Sequence, residues 1–181
     1  MKRIFVIILF VLATISIPSV HGQQDDEAVR NRTRERLAEL LEKVGPTINV
    51  PFSQSQKQPY NYVGTLKTGL VDAENFEIVI GVTAKETIGF RIFPIYNKVY
   101  INVDKVNDTR GLMRLLLRLS DRAFLYWGAD QDGDVFTGYT FTLESGFPEE
   151  AISTVLRSIV HSDKFVGEMR PFIDGGSAPV K

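Results

Sequence analysis

The sequence contains no cysteine, and its histidines are limited to His21 and His161. These absences exclude a cysteine nucleophile, disulfide bonds, thiolate metal sites and lipid attachment through cysteine. A zinc, haem or iron–sulfur site needs several histidine or cysteine ligands, so we predict no metal and no cofactor. The charge is nearly balanced, with a net charge of −1 and a pI near 6.1. Without a strongly basic field, nucleic-acid binding is not expected.

The first segment has the pattern of a secretory signal peptide. Lys2 and Arg3 precede an apolar run over residues 4–17, and a short segment then ends at Gly22. A run of fourteen residues is too short for a membrane span, which needs about 20. We therefore predict cleavage after residue 22 and an exported protein, periplasmic or secreted, with no membrane span after signal removal. The mature net charge would be −3, from 19 basic and 22 acidic residues.

The remaining chain divides into three parts by composition. Residues 23–59 contain an N-terminal helix and a loop rich in proline, serine and glutamine, residues 60–173 form an α+β domain, and residues 174–181 form a flexible tail. The first helix is predicted over about residues 26–44, because four apolar side chains recur with helical spacing on one face. These are Leu37, Leu40, Leu41 and Val44.

The middle of the chain alternates apolar and polar residues, which predicts β-strands. Three such runs, over residues 60–70, 76–82 and 88–92, are joined by short loops and favour an antiparallel meander. Pro94 cannot donate to a sheet ladder, so the third strand is expected to be an edge strand or to carry a bulge there. Residues 99–103 are either the far half of that strand or a separate strand after a turn at Asn97 and Lys98.

A second helix follows Asp108 or Thr109, either of which can cap it. Its predicted buried stripe is Leu112, Leu115, Leu116 and Leu119. Arginines recur every four residues elsewhere on the helix and form a nearly continuous basic row. We call Arg110, Arg114, Arg118 and Arg122 the arginine ridge. If the ridge is more than a solubilising surface, guanidinium groups predict an acidic protein segment or an anionic lipid surface as its partner.

A hairpin and a last helix complete the predicted domain. The segment over residues 130–134, Asp-Gln-Asp-Gly-Asp, lies between two alternating runs and predicts a hairpin turn, with a weak exposed cation site as the alternative. Phe124, Tyr126 and Trp127 occupy both faces of the first strand, which predicts burial on both sides or an exposed docking patch. The last helix opens at Pro148, and residues 165–173 either extend it or form a short final turn.

This order of elements resembles the YbjN-like family, which shares its fold with the class I chaperones of type III secretion. The residues that carry the resemblance lie at 112–119, 129–135 and 147–152, within a block over about residues 60–165. The resemblance implies an α+β fold of order α-β-β-β-α-β-β-α, in which about three helices pack on one antiparallel sheet. It also implies a chaperone-like, non-enzymatic role in protein binding or regulation, and it supplies no catalytic residues. The added signal peptide and a longer loop after the first helix depart from the family.

Two catalytic arrangements were considered against structural roles. His161 would have to serve a Ser-His-Asp triad, but a surface histidine near a helix end explains it more simply. Glu149 and Glu150 begin a helix, where acidic residues are favoured in any case. We therefore predict a protein-binding module without catalytic residues, with a protein partner or a second copy of the chain. The alternative is an enzyme, or a binder of a small apolar ligand, whose carboxylates only the fold brings together.

Overall fold

A computed structural model describes residues 20–83 and 87–175. Residues 1–19, which form most of the predicted signal peptide, and residues 176–181 of the predicted tail lie outside this range. Helix α1 spans Val20–Val44 and therefore starts earlier than the sequence predicts. Its predicted apolar stripe is buried. Two N–H groups of the Arg30 guanidinium donate to the carbonyl oxygen of Val82, at 2.8 and 2.9 Å. This arginine therefore joins α1 to the sheet and is not simply a solvent-exposed side chain.

The segment after α1 is more structured than the predicted loop. A 3₁₀ turn over Gly45–Ile48 ends at Asn49, whose backbone is left-handed with a φ of 55°. A three-residue strand, β1 (Phe52–Gln54), then pairs with the next strand and forms one edge of the sheet. A strand this short shows no alternation of its own, so the sequence pattern gave no sign of it.

The predicted antiparallel meander is confirmed. It consists of β2 (Asn61–Leu66), β3 (Asn75–Val82) and β4 (Thr87–Tyr96), each paired with the next. The register places Tyr62 opposite Ile80, and Ile80 opposite Phe90. Their side chains therefore share the buried face of the sheet, as the alternation predicts.

The prediction for Pro94 was wrong. Strand β4 lies inside the sheet, and its register with β3 continues through Pro94, which pairs with Phe76. On the other side of β4, the neighbouring strand changes near this residue. Residues 87–92 pair with β7 (Val135–Thr142), whereas Ile95 and Tyr96 pair with β5 (Val99–Tyr100). Pro94 thus occupies the gap between two partners, where a missing N–H group breaks no ladder.

Residues 97 and 98 form the turn of a hairpin, which settles the alternative left open by the sequence. Both Asn97 and Lys98 have positive φ angles, 52° and 67°. Two consecutive left-handed residues are typical of the tight turns that join antiparallel strands. Strand β5 is therefore a separate strand.

The rest of the sheet follows the second helix. Helix α2 (Thr109–Arg122) leads to β6 (Tyr126–Ala129), which pairs with β7 in the predicted hairpin. The strand order is β1-β2-β3-β4-β7-β6, with β5 beside β4. In the hairpin turn only Gly133 has a positive φ, of 81°, so the aspartates do not share the left-handed conformation.

The C-terminal segment contains two helices instead of one. Helix α3 (Glu149–Ser158) passes through a 3₁₀ turn over Ile159–Ser162 into α4 (Asp163–Asp174). Residues of all four α-helices and of one sheet face form a single buried cluster. The chain is therefore an α+β domain with its helices packed on one antiparallel sheet, as predicted. None of the helices within the described residues is long and apolar enough to span a membrane.

Phe124, Tyr126 and Trp127 do not share one environment. Trp127 is buried in the core, whereas Tyr126 lies on the opposite sheet face, beside the Phe136 ring. Phe124 is 58% exposed and stacks on Tyr139. Of the two predicted alternatives, burial on both sides is therefore wrong for Phe124 and Tyr126, which are exposed, because the described helices cover one face of the sheet only.

Candidate functional site: the exposed face of helix α2

The sequence of α2 fixes which of its faces is exposed. Asp108 caps the helix, and its carboxylate accepts a hydrogen bond from the Gly111 N–H at 2.8 Å. The four leucines of the predicted stripe are buried. Because they hold one side of the helix against the core, Arg110, Arg114 and Arg118 face solvent.

The fourth arginine of the ridge has a different role. The Arg122 guanidinium pairs with the Glu168 carboxylate of α4 and lies 5.5 Å from the centre of the Phe165 ring. It therefore belongs to the contact between α2 and α4. Within the described part of the chain, the side chains of Arg110, Arg114 and Arg118 form no hydrogen bond or ion pair.

Two apolar side chains lie among these three arginines. Met113 is 40% exposed and Leu117 is 70% exposed. Residues four apart are neighbours on a helix surface, so Met113 and Leu117 form a short apolar strip beside the arginines. We call Arg110, Met113, Arg114, Leu117 and Arg118 the docking face. Sequence reasoning missed its apolar part, although both residues fall outside the i, i+3, i+4, i+7 positions of the buried stripe.

The docking face combines charge with apolar area. Two acidic residues flank the face along the helix: Asp108, whose carboxylate caps the helix, and Asp121, one turn after Leu117. Three arginines without internal partners attract carboxylates, and their forked guanidinium groups bind them bidentately. Met113 adds a flexible apolar contact that adapts to different surfaces. Such a face can hold an acidic segment that also carries apolar side chains.

The other residues considered from the sequence have structural surroundings. Glu149 lies in the first turn of α3, with its carboxylate 3.5 Å from the Lys43 ammonium group. His161 lies exposed in the 3₁₀ turn between α3 and α4. The Ser158 hydroxyl beside it donates to the Val155 carbonyl oxygen at 2.8 Å. Over residues 20–83 and 87–175, no group of three histidine or acidic side chains could hold a metal ion.

The aspartates of the β6–β7 hairpin hold the turn together. One carboxylate oxygen of Asp130 accepts from the N–H groups of Asp132 and Asp134, each at 3.0 Å. Asp134 in turn accepts from the side-chain amide of Asn102 at 2.8 Å. The Asp130 carboxylate is thus used within the turn, as expected for an ordinary hairpin loop, and the Asp134 carboxylate joins the turn to Asn102.

Comparisons with known proteins give one similar structure. No protein-family model matches the chain, and no curated protein matches it. Among solved structures, a chain in the crystal structure of the ExsC–ExsE complex is 17% identical, with a TM-score of 0.47. The alignment covers 77% of this chain and 95% of that chain. Membership of the YbjN-like family therefore stays a prediction.

Proposed function

We propose that this protein is an exported, non-enzymatic protein-binding module, and that its docking face on α2 contacts an acidic segment of a partner protein. The observation that carries the proposal is the set of three exposed arginines around Met113 and Leu117. A chaperone-like or regulatory role is what the resemblance to the YbjN-like family implies. Export follows from the signal-peptide pattern over residues 1–22.

The charge of the docking face favours a different protein over a second copy as the partner. In a two-fold symmetric dimer, the same patch of each copy meets the other. A dimer centred on α2 would therefore bring three arginines of one copy toward three of the other, and like charges repel. An acidic partner would gain charge complementarity from the same three side chains. A homodimer, if one forms, would use another surface.

The test is a pair of charge-reversed variants that differ only in position. Arg114→Glu/Arg118→Glu changes the docking face, whereas Arg32→Glu/Arg157→Glu makes the same charge change at exposed arginines of α1 and α3. We expect pull-down from the exporting cell to lose an acidic partner with the first variant and to keep it with the second. The interaction should also weaken with added salt. Retention of every partner by the first variant would contradict the proposal.

Two further measurements separate the other possibilities. One outcome would assign the docking face to a membrane surface instead: no protein partner is found, and the protein binds vesicles containing anionic lipid in a way that Arg114→Glu/Arg118→Glu abolishes.

Export has its own test. The mature protein recovered outside the cytoplasm should begin at Gln23 by N-terminal mass spectrometry. A protein that keeps residues 1–22 in the cytoplasm would contradict the export part of the proposal alone.

A further inference from the structure

A pocket of 710 Å³ lies at the edge of the sheet opposite α2, beneath α1. It is bounded by α1, by the 3₁₀ turn after it, and by β1 and β2. Its lining includes Ala38, Leu41, Glu42, Val50, Phe52 and Tyr62. The volume falls in the range of small-molecule sites, about 300–1,000 Å³. Because β1 and β6 form opposite edges of the sheet, this pocket is separate from the docking face.

The walls of the pocket are held in place by the fold. The Val50 N–H donates to the Gly45 carbonyl oxygen at 2.9 Å, which closes the turn at Asn49. Val50 and Phe52 pack directly on Gly64, where an added Cβ atom would lie 2.6 to 2.7 Å from their side chains. Leu41 and Val50 are at most 3% exposed. Leu41 and Val50 therefore belong to the core and form a fixed floor, and the apolar surface open to a ligand comes from the less buried lining residues.

The chemistry of the lining is mostly apolar with one charge. Among the described residues that line the pocket, Glu42 alone is charged, and it lies on the exposed side of α1. Its carboxylate forms no ion pair within the described part of the chain. The Tyr62 hydroxyl donates to the Arg34 carbonyl oxygen at 3.3 Å. Burial raises the pKa of Tyr62, so its hydroxyl remains a neutral part of the wall.

We infer that this pocket binds a small ligand with an apolar body and a cationic head, such as an alkyl ammonium compound. The apolar body would lie against Ala38 and Phe52, over the floor that Leu41 and Val50 form, and the head would pair with the Glu42 carboxylate at the mouth. A neutral head would lose this ion pair, and an anionic head would be repelled. This specificity does not depend on the proposed partner of α2.

The experiment compares three probes that share one alkyl chain: octylamine, octanol and octanoate. Isothermal titration should give the tightest binding for octylamine, about fivefold tighter than octanol, as for an ion pair at a partly exposed site. Octanoate should bind more weakly than octanol. Glu42→Gln should make octylamine and octanol equal, whereas Glu39→Gln, which removes an exposed charge that does not line the pocket, should leave the preference unchanged.

A pocket-filling variant tests the location. Ala38→Trp should weaken all three probes at least tenfold, and thermal unfolding would confirm that the variant folds. Failure of octylamine to bind at millimolar concentration, or an unchanged preference in Glu42→Gln, would overturn the inference. So would a dimer in sedimentation that Ala38→Trp dissociates, because the pocket would then be an interface between copies.

Discussion

The Ser120 hydroxyl lies 2.8 Å from both the amide nitrogen and the carbonyl oxygen of Trp127. Strand β6, which contains Trp127, forms an edge of the sheet. Unpaired N–H and C=O groups at a sheet edge invite pairing with another chain. One side chain of α2 here takes the place of a neighbouring strand, accepting from the N–H and donating to the C=O. The helix that carries the docking face therefore also closes the sheet edge beside it.

Replacing Ser120 should destabilise this edge. In Ser120→Ala, the Trp127 N–H and C=O groups lose their partner in a half-buried position, and we expect a loss of about 1–3 kcal/mol in the free energy of unfolding. The Thr154 hydroxyl donates to the Glu150 carbonyl oxygen at 2.9 Å at an exposed site, so Thr154→Ala is the matched control. Urea denaturation measures both. Equal effects of the two substitutions would contradict this role of Ser120.

Asp163 is expected to hold the β2–β3 loop. Asp163 is 6% exposed, and its carboxylate accepts from the N–H groups of Val71, Asp72 and Ala73, with the shortest hydrogen bond at 2.6 Å. Asp163→Ala leaves these donors without a charged acceptor and should cost about 2–4 kcal/mol. Asp121→Asn, an exposed change on α2, should have little effect.

Hydrogen exchange makes the prediction for Asp163 specific. The amides of Val71, Asp72 and Ala73 should exchange faster in Asp163→Ala, beyond the change that global destabilisation produces in the core strands. Unchanged protection of these three amides would show that other contacts fix the loop. The Arg170 guanidinium, which donates to the Asp72 carbonyl oxygen at 2.8 Å, would be the next group to test.

Two glycines in the sheet region should differ in how strongly they respond to alanine. Gly133 has a φ of 81°, and an added Cβ atom would lie 2.9 Å from a carboxylate oxygen of Asp104. Gly133→Ala should therefore destabilise the protein by about 1–2 kcal/mol. Gly89 has no atom within 4 Å of the same position, so Gly89→Ala should change stability by no more than about 0.5 kcal/mol. Thermal unfolding that ranks Gly89→Ala as the more harmful change would contradict this account.

Much of the fold could be predicted because burial follows a local period. The α2 stripe and the alternation in β3 each report directly which side chains face the core. The pairing register of the strands, the position of Pro94 in the sheet and the separation of α3 from α4 depend on contacts between residues distant in sequence. Ala73 and Asp163, joined by a hydrogen bond, are 90 residues apart. No local pattern reveals such a pair.

The candidate sites divide in the same way. The arginine ridge could be predicted because its residues lie on one helix at a fixed spacing. The ion pair between Arg122 and Glu168, which removes Arg122 from the ridge, could not be predicted, because it joins α2 to α4 across 46 residues. The pocket beneath α1 could not be predicted from the sequence either, because Glu42, Phe52 and Tyr62 come from three different elements. Only the packing of those elements brings the residues together.

The last prediction concerns stability at high pH. Partial burial, and then the hydrogen bond that the Tyr100 hydroxyl donates to Glu77 at 2.7 Å, raise the pKa of Tyr100 from 10.0 to about 12. The unfolded chain loses this proton at lower pH than the folded protein does. The stabilisation from this group is therefore fully present below pH 10, and it is lost as the pH rises toward about 12.

Tyr100→Phe should remove that part of the pH dependence. Urea midpoints of the two proteins should differ by a constant amount below pH 10 and converge as the pH approaches about 12. Lysines also titrate in this pH range. The test is therefore the difference between the two urea midpoints at each pH, and not the change of either midpoint with pH. Glu77→Gln should give a smaller change in the same direction, because it removes the negative charge beside Tyr100 but leaves the burial. A constant difference between Tyr100→Phe and the unchanged protein across the whole range would show that Tyr100 ionises alike in both states.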